Sequence, residues 1–315
     1  MSHTHSITER LRSDDADTRR IALTELDEDL DHILVEDLLP LMQDEDPAVR
    51  RLTIRVLEEI GNVSAIPAII EATVDQDADV AVAARASLRE FRTRDAVDPL
   101  VAGMAHPEPE ARAAAILGLR ELRSQRAVPR LKQAAEDLSK AVRREALLAL
   151  AYLKDPAVLP TLRQGLFDEE SEIRRIAVGA VSFFPGSETV SDLLRASRDQ
   201  NWQVRREAAI VLARVPGNAS IAALLAALKD ERWEVNKEAL YSLGKLRAPV
   251  AAAVEPFLDH PLADLRTAAA MAVGEAGDIS LEPHLSRLLG DADAGVSKAA
   301  WRALEQLSGK GAKAA

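Results

Sequence analysis

Residues 171–181 (SEIRRIAVGAV) and residues 202–212 (WQVRREAAIVL) decide the fold of this chain, because they are two copies of one pattern. In each copy the third residue is apolar and is followed directly by two arginines. An alanine stands four residues after the apolar residue. The two apolar residues are Ile173 and Val204. The same register continues in both directions over almost all of the 315 residues, so an internal repeat determines the architecture.

Ten anchor positions share this register. The anchors are Thr18, Val49, Val80, Ala111, Val142, Ile173, Val204, Val235, Leu265 and Val296. Eight of their nine spacings equal that between Ile173 and Val204, and the remaining one, between Val235 and Leu265, is a single position shorter. Chance does not keep such a period over most of a chain, so the spacing indicates a repeat protein.

Apolar columns follow each anchor. The fourth residue after it is alanine, except for Thr53, and the eighth is leucine or valine. These three positions lie on one helical face, and the small residue allows a neighbouring helix to approach closely. A second apolar stretch precedes most anchors, so each repeat is predicted to be an antiparallel helix pair.

A helix pair of this size cannot bury its apolar face alone, so the repeats must stack on one another. The sequence therefore predicts an all-α protein, a right-handed α-solenoid of about ten helix-pair repeats. We expect a single solenoid over residues 14–308, after an N-terminal tail and the start of a cap at residues 1–13 and before a flexible tail at residues 309–315. Four glycines that follow the second helices are predicted C-caps: Gly61, Gly186, Gly217 and Gly277.

Two polar columns accompany the apolar ones. An aspartate stands five residues before most anchors, where it can cap the second helix, and an arginine stands one residue after most anchors. This arrangement resembles the HEAT repeat, in particular the short HEAT-like repeat of the phycobilisome lyases. The resemblance implies a ladder of hydrogen bonds that links successive turns, carried by the pairs Asp44/Arg50, Asp137/Arg143, Asp168/Arg174 and Asp199/Arg205. The pattern fails at Ala81, His106, Asn236 and Ser297, where we expect the ladder to be interrupted.

Composition excludes several classes of protein. The chain has no cysteine, which removes disulfides and thiolate metal sites, and its formal net charge of -11 argues against a general nucleic-acid binder. No apolar run approaches the roughly 20 residues of a membrane span, and the N-terminus has no apolar signal core. We therefore expect a cytoplasmic protein that does not enter the membrane.

Few residues offer catalytic or metal chemistry. The six histidines are scattered: His3 and His5 near the N-terminus, His106 and His260 in repeat turns, and His32 and His284 elsewhere. Deoxyhypusine hydroxylase, an enzyme on this type of repeat, needs paired His-Glu ligands for iron, and no His-Glu dipeptide occurs here. The sequence thus favours a protein without catalytic residues, metal or cofactor.

Charged residues leave two interpretations open. The acidic run Glu25, Asp27, Glu28, Asp29 and Asp31 is either a solvated polar cap or a dock for a basic partner. A basic column two residues after the anchors is expected to be largely neutralised by a glutamate column ten residues after them.

Aromatic residues give the best functional signal, since seven of the ten lie between positions 152 and 241. Trp202 and Trp233 share one repeat position, where other repeats carry small residues, lysine or proline, and we expect their rings to face outward without contacts of their own. Apolar residues also recur at the sixth position after the anchor, which should lie off the buried stripe. Contiguous exposed apolar surface often marks a binding site. The candidate partner-binding residues are Trp202, Trp233, Tyr241, Tyr152, Phe183, Ile210 and Met271.

These observations predict a non-catalytic scaffold, or an assembly or maturation chaperone, that binds another protein or peptide along the solenoid groove. They disfavour a small-molecule ligand. Two alternatives remain from the resemblance: a tetrapyrrole-handling protein like the bilin lyases, and a nucleic-acid repair protein like the HEAT-like DNA glycosylases.

Overall fold

The computed structural model describes residues 2–26, 33–184, 186–249 and 251–314, and within these ranges all regular structure is helical. The α-helices, numbered α1 to α20 in chain order, are Ser2–Leu11, Ala16–Glu25, Val35–Leu38, Pro47–Ile60, Ile66–Ala72, Ala78–Ser87, Val97–Gly103, Pro109–Leu122, Val128–Ala134, Lys140–Leu153, Leu159–Gln164, Ser171–Val181, Ser187–Ala196, Trp202–Leu212, Asn218–Ala227, Trp233–Lys245, Ala251–Leu258, Ala263–Ala276, Glu282–Leu288 and Ala294–Ala314. They form ten consecutive pairs. We call the odd-numbered, first helix of each pair the A helix and the even-numbered, second helix the B helix.

Backbone contacts divide the chain into two compact units, one up to Thr161 and one from Leu162 onward. In the first unit α2 packs against α4, α4 against α6, and α8 against α10. In the second unit α12, α14, α16, α18 and α20 pack each against the next. Each unit is therefore an α-solenoid of helix pairs, which confirms the fold class. The expectation of one solenoid over residues 14–308 stays a prediction.

The apolar columns form the core of both units. Every residue of the fourth column, from Ala22 through Thr53 to Ala300, has no exposed surface. The closest helix approaches use glycine: a Cβ on Gly244 would lie 2.8 Å from the Cα of Ala272, and a Cβ on Gly274 would lie 2.7 Å from the Cα of Ala303. A side chain at either glycine would force the neighbouring helices apart. The small-residue seam therefore sets the spacing of the B helices.

Helix ends follow local rules, with two corrections to the sequence prediction. The N-cap of α4 is Asp46, whose carboxylate accepts from the backbone N–H of Ala48 and Val49, whereas Asp44 lies two residues too early to cap it. Of the predicted glycine caps, Gly61 and Gly277 do end their helices in the left-handed conformation. Gly186 and Gly217 instead precede the next A helices, at the N-cap position.

The first and last helices lie near the two ends of the described chain. Helix α1 begins at Ser2, and its Ile7 and Leu11 are buried, so this segment contributes to the core. Helix α20 continues to Ala314. Most of the acidic run, Asp27 to Asp31, and the adjacent His32 lie outside the described residues. None of the helices in the described ranges is both long and apolar enough to cross a membrane.

Candidate functional site

Arginines of the second polar column link neighbouring repeats. Arg50 donates from Nε and Nη2 to the two carboxylate oxygens of Asp75, at 2.7 Å each, and from Nη1 to the backbone carbonyl of Asp44 at 2.6 Å. This bidentate geometry recurs in the pairs Arg19–Asp44, Arg112–Asp137, Arg174–Asp199, Arg205–Asp230 and Arg266–Asp291, each 25 residues apart. We call each such pair a rung.

The four pairs named from the sequence are therefore joined through the backbone. Arg143, Arg174 and Arg205 each donate from Nη1 to the carbonyl of the aspartate six residues earlier, as Arg50 does. The carboxylate of that aspartate is then available to accept hydrogen bonds from the arginine of the preceding repeat, as the Asp44 carboxylate does from Arg19. One arginine thus holds its own turn and the next one. The spacing within a repeat identified the residues of this ladder but did not specify which carboxylate each arginine binds; Arg50, Arg174 and Arg205 bind the carboxylate of the next repeat.

The rungs keep their aspartates ionised. Burial by itself raises the pKa of Asp75, but hydrogen bonds from Arg50 and from the backbone N–H of Asp77 outweigh it and lower the pKa overall. The same balance lowers the pKa of Asp199 beside Arg174. Charged hydrogen bonds with little exposed surface are stronger than surface ion pairs, so the rungs stabilise the joints between repeats.

Where a rung is absent, both its arginine and its aspartate are replaced by other residues. Ala81 and His106 stand where an arginine and an aspartate would form the next rung after Arg50–Asp75, and Asn236 and His260 stand in the equivalent places of a later repeat. Each histidine keeps half of the aspartate's role, because Nδ1 accepts from the backbone N–H two residues later, at 3.0 Å for His106 and 3.1 Å for His260. The expected interruptions at Ala81, His106 and Asn236 are therefore present.

The last of the expected interruptions is at Ser297. Its hydroxyl donates to the backbone carbonyl of Asp291 at 3.1 Å, the bond that an arginine would otherwise make.

Six of the seven candidate partner-binding residues lie on the B helices of the second unit or at their ends, and none of them is buried. Trp202 and Trp233 are the first residues of α14 and α16. Phe183 and Met271 are 53% and 37% exposed. Ile210 and Tyr241, which lie between these two in sequence, are half-buried. We call these six residues, Phe183, Trp202, Ile210, Trp233, Tyr241 and Met271, the ring surface.

Cationic side chains cover the tryptophan rings of this surface. The guanidinium of Arg232 lies 4.6 Å from the centre of the Trp202 ring, and Nζ of Lys237 lies 5.5 Å from that of Trp233. Both cations are also bound to carboxylates, Arg232 to Glu234 at 2.9 Å and Lys237 to Asp264 at 2.5 Å. The expectation that these rings lack contacts of their own was wrong. Cation–π contact orients each ring while leaving part of it exposed.

A half-buried carboxylate lies beside the ring surface. Burial raises the pKa of Glu207, against the opposing effect of Arg175, Arg206 and Arg214. The sixth position of the preceding repeat is Gly179, and a Cβ there would lie 3.4 Å from Glu207 Oε1. The missing side chain thus makes room for the carboxylate. Burial also raises the pKa of Tyr241, although Lys237 opposes the shift.

Tyr152, the seventh candidate, belongs to the first unit and has a different setting. Its ring is 39% exposed and lies 5.5 Å from the guanidinium carbon of Arg120 and 5.6 Å from that of Arg123. Sequence reasoning grouped Tyr152 with Phe183 because both stand ten residues after an anchor. Tyr152 therefore stays a separate candidate partner-binding residue, in the first unit.

The basic column two residues after the anchors is neutralised, but by other acids than expected. Arg206 binds Glu238 at 2.7 Å, and Arg51 approaches Asp79 to 4.0 Å. These acids come from the next B helix near its start, whereas the sequence pointed to the glutamates at the helix ends. Mixed charge along this column matches the interpretation of a solvated, balanced face.

Sequence reasoning missed a further exposed ring. Phe167 is 68% exposed, and the guanidinium of Arg195 lies 4.1 Å from its centre. Arg195 also binds Asp192, which is buried and bonded to Arg163 at 2.6 Å. The signal in the sequence was the solitary phenylalanine in a turn position, directly before Asp168. Among the described residues no group of three or more histidine, aspartate or glutamate side chains is placed to hold a metal ion.

The described geometry, helix pairs stacked through an alanine seam and joined by arginine–aspartate rungs, defines a class of helical repeat protein. The sequence matches the family described as HEAT repeats over residues 5–89, 66–138, 129–210 and 190–261. The matches span more than half of the chain, so this protein belongs to the HEAT repeat family. No curated protein matches the sequence.

Solved structures resemble the chain at low sequence identity. YibA of E. coli is 21% identical, with a TM-score of 0.55, and the alignment covers 90% of this chain and 96% of YibA. A chain in the structure of Kap95p with RanGDP is 16% identical, with a TM-score of 0.65 over 97% of this chain and 50% of that one. A Kap121p mutant is 14% identical, with a TM-score of 0.61 over 97% and 41%. At such identities the likeness concerns the fold alone.

Proposed function

We propose that this protein is a non-catalytic scaffold, or an assembly or maturation chaperone, that binds a partner protein or peptide on the ring surface of the second unit. The observation that carries the proposal is that all six side chains of this surface stay partly exposed on successive repeats, although the repeat does not require them there. Large rings with exposed faces supply much of the binding energy in protein interfaces.

The fold supports a protein partner as well. Repeat stacks present long surfaces that engage proteins through many moderate contacts. Kap95p, which resembles the chain in fold, binds RanGDP. We further propose a cytoplasmic location and assign the repeats to the short phycobilisome-lyase HEAT-like type, in view of the constant short spacing of their anchors.

A comparison of three baits tests the ring surface. Wild-type protein, the variant Trp202→Ala/Trp233→Ala and the variant Trp301→Ala are each used to capture proteins from native lysate, with quantification of every captured protein. Trp301 is 52% exposed but lies outside the ring surface, so its removal is a matched control. We expect a partner that the wild type and the Trp301 variant retain equally and that the double variant loses. If all three baits retain the same proteins in the same amounts, the ring surface is not the binding site.

A further inference from the structure

A basic cleft opens in the first unit between the third and fourth helix pairs. Its volume is about 570 Å³, and it is lined by Arg92, Arg94, Val97, Glu121, Leu122, Arg123 and Ser124. The cleft lies where the C-terminal ends of α6 and α8 meet the following A helices. Helix α6 ends at Ser87, seven residues after its anchor, whereas α8 continues to Leu122, eleven residues after its own. The early end of α6 leaves space beside the last turn of α8.

The joint that contains the cleft is also the one without a rung at Ala81 and His106. At this joint a Cβ on Gly118 of α8 would lie 2.9 Å from the carbonyl oxygen of Leu88, so α8 packs closely against the end of α6. At the other missing rung, Asn236 and His260, the close approach of Gly244 to Ala272 keeps α16 packed on α18. The third joint thus lacks a rung, although a carboxylate oxygen of Glu71 in α5 lies 3.2 Å from His106 Nε2 across it.

Two of the three arginines that line this cleft have no acidic partner in the part of the chain that the structure describes. Arg94 and Arg123 are exposed or half-exposed, and neither has a carboxylate within 4.0 Å among the residues that the structure describes. Arg92 contacts only Glu90, at 3.1 Å, in a pair that is largely exposed. Guanidinium groups bind carboxylates in a bidentate manner, and an exposed pair of this kind exchanges readily with a competing carboxylate.

Arg123 ends its B helix in the left-handed conformation, as Lys154 and Arg247 do after α10 and α16. It follows α8 with a φ of 46°, in the left-handed region, where Gly61 and Gly277 serve the corresponding ends of α4 and α18. Its guanidinium lies 5.6 Å from the centre of the Tyr152 ring. A glycine would end the helix with less strain. The arginine thus places a cation at the mouth of the cleft beside an exposed aromatic ring.

We propose that this cleft binds an acidic segment of a partner protein, with Arg94 and Arg123 as the carboxylate-binding residues. Charge complementarity supports this occupant, because three arginines and one glutamate, Glu121, line the cleft in a chain whose net charge is -11. Leu122, which is half-buried in the lining, adds apolar contact, and this suits acidic residues interleaved with apolar ones. Nucleic acid requires a longer basic surface, whereas the neighbouring basic column is paired with acids, as Arg51 is with Asp79.

Fluorescence anisotropy with a labelled decapeptide of alternating glutamate and leucine tests the cleft. We expect Arg94→Glu/Arg123→Glu to weaken binding at least tenfold at low salt. The control variant Lys298→Glu/Arg302→Glu makes the same change in net charge on α20, away from the cleft, and should bind like the wild type. Arg123→Gly removes the cation while relaxing the backbone, so weaker binding by this variant does not come from misfolding.

Three outcomes would overturn the proposal. The first is equal loss of binding in the α20 control variant, which would indicate a general charge effect. The second is that a labelled ten-nucleotide oligothymidine binds as tightly as the peptide. The third is loss of peptide binding in Trp202→Ala/Trp233→Ala, which would place the peptide on the ring surface instead.

Discussion

Ala81 and His106 occupy the two positions that Arg50 and Asp75 fill one repeat earlier. Both charged partners of the rung are therefore absent, and no arginine or aspartate is left without its counterion. Loss of only one partner would leave a poorly exposed charge without its counterion, which costs more than loss of both. The histidine retains the backbone contact of the aspartate in the turn. The joint therefore keeps its turn geometry and gives up its rung, while His106 Nε2 lies 3.2 Å from a carboxylate oxygen of Glu71 in the neighbouring repeat.

Restoring the rung should stabilise this joint. We expect the double variant Ala81→Arg/His106→Asp to be more stable than the sum of the two single variants predicts, by about 1.5–3 kcal/mol, the usual contribution of hydrogen bonds to charged groups. Urea unfolding of the wild type, both single variants and the double variant measures this coupling. Additive effects would show that the geometry of the joint, and not its side chains, prevents a rung.

An intact rung should be costly to remove. Arg50 is 5% exposed and makes bidentate bonds to Asp75, so Arg50→Ala should lower the free energy of unfolding by about 2–4 kcal/mol. The adjacent Arg51 is exposed and lies 4.0 Å from Asp79, so Arg51→Ala should cost less than about 0.5 kcal/mol. Thermal unfolding of the two variants compares them directly, and equal losses would contradict the importance of the rung.

Acid should weaken the rungs. The pKa values of Asp44, Asp75, Asp137, Asp199 and Asp230 are lowered, because the hydrogen bonds they accept outweigh the opposing effect of burial. A lowered pKa in the folded state means that the stabilisation is complete above the unfolded value of about 4 and is lost as the pH falls through the folded value. Urea unfolding between pH 7 and pH 2.5 should show stability falling mainly below pH 4.

Asp75→Asn provides the control for this pH dependence. The variant should be less stable than the wild type at pH 7, because the amide cannot accept two charged bonds from Arg50. Its stability should change less between pH 5 and pH 2.5, since one titrating carboxylate is gone. Parallel pH curves for the two proteins would mean that other carboxylates dominate the acid response.

The glycines at the closest approaches of the B helices, Gly244 and Gly274, should tolerate no side chain. In Gly274→Ala the new Cβ would lie 2.7 Å from the Cα of Ala303, so we expect a loss of about 1–3 kcal/mol from overpacking. Gly309 lies in α20 with no neighbouring atom within 4 Å of the equivalent position. There the same substitution should stabilise the helix by about 0.5–1 kcal/mol, because alanine has the higher helix propensity. Thermal unfolding distinguishes the two, and a neutral Gly274→Ala would show that the helices can separate.

The sequence contained most of the fold because stacked repeats place the same residue in the same environment many times. The fourth column is an example: Ala22 and Ala300 lie far apart in sequence and are equally buried. Rung partners were harder to assign, because Arg50 stands six residues from Asp44 and 25 residues from Asp75, and spacing alone favours the nearer aspartate. The choice between them depends on the direction of the long arginine side chain.

The candidate surfaces were less predictable. The exposed rings of Trp202 and Trp233 could be expected, because other repeats carry no aromatic residue at this position. The cations that cover the rings could not, because Arg232, which covers Trp202, comes from the following repeat. The basic cleft was missed because it depends on where α6 ends. Ser87 and Leu88 continue the helical pattern, and only the coordinates show that the helix stops there.

The constant offset of 25 residues between rung partners has a genetic consequence. Recombination that duplicates or deletes one whole period leaves a remaining arginine facing an aspartate wherever the repeat that becomes its neighbour carries one. A gene built in this way can change its length in single steps without passing through an unfolded product. Repeats that lack the pair are the exception, since copies of them would carry the missing rung to new places along the chain.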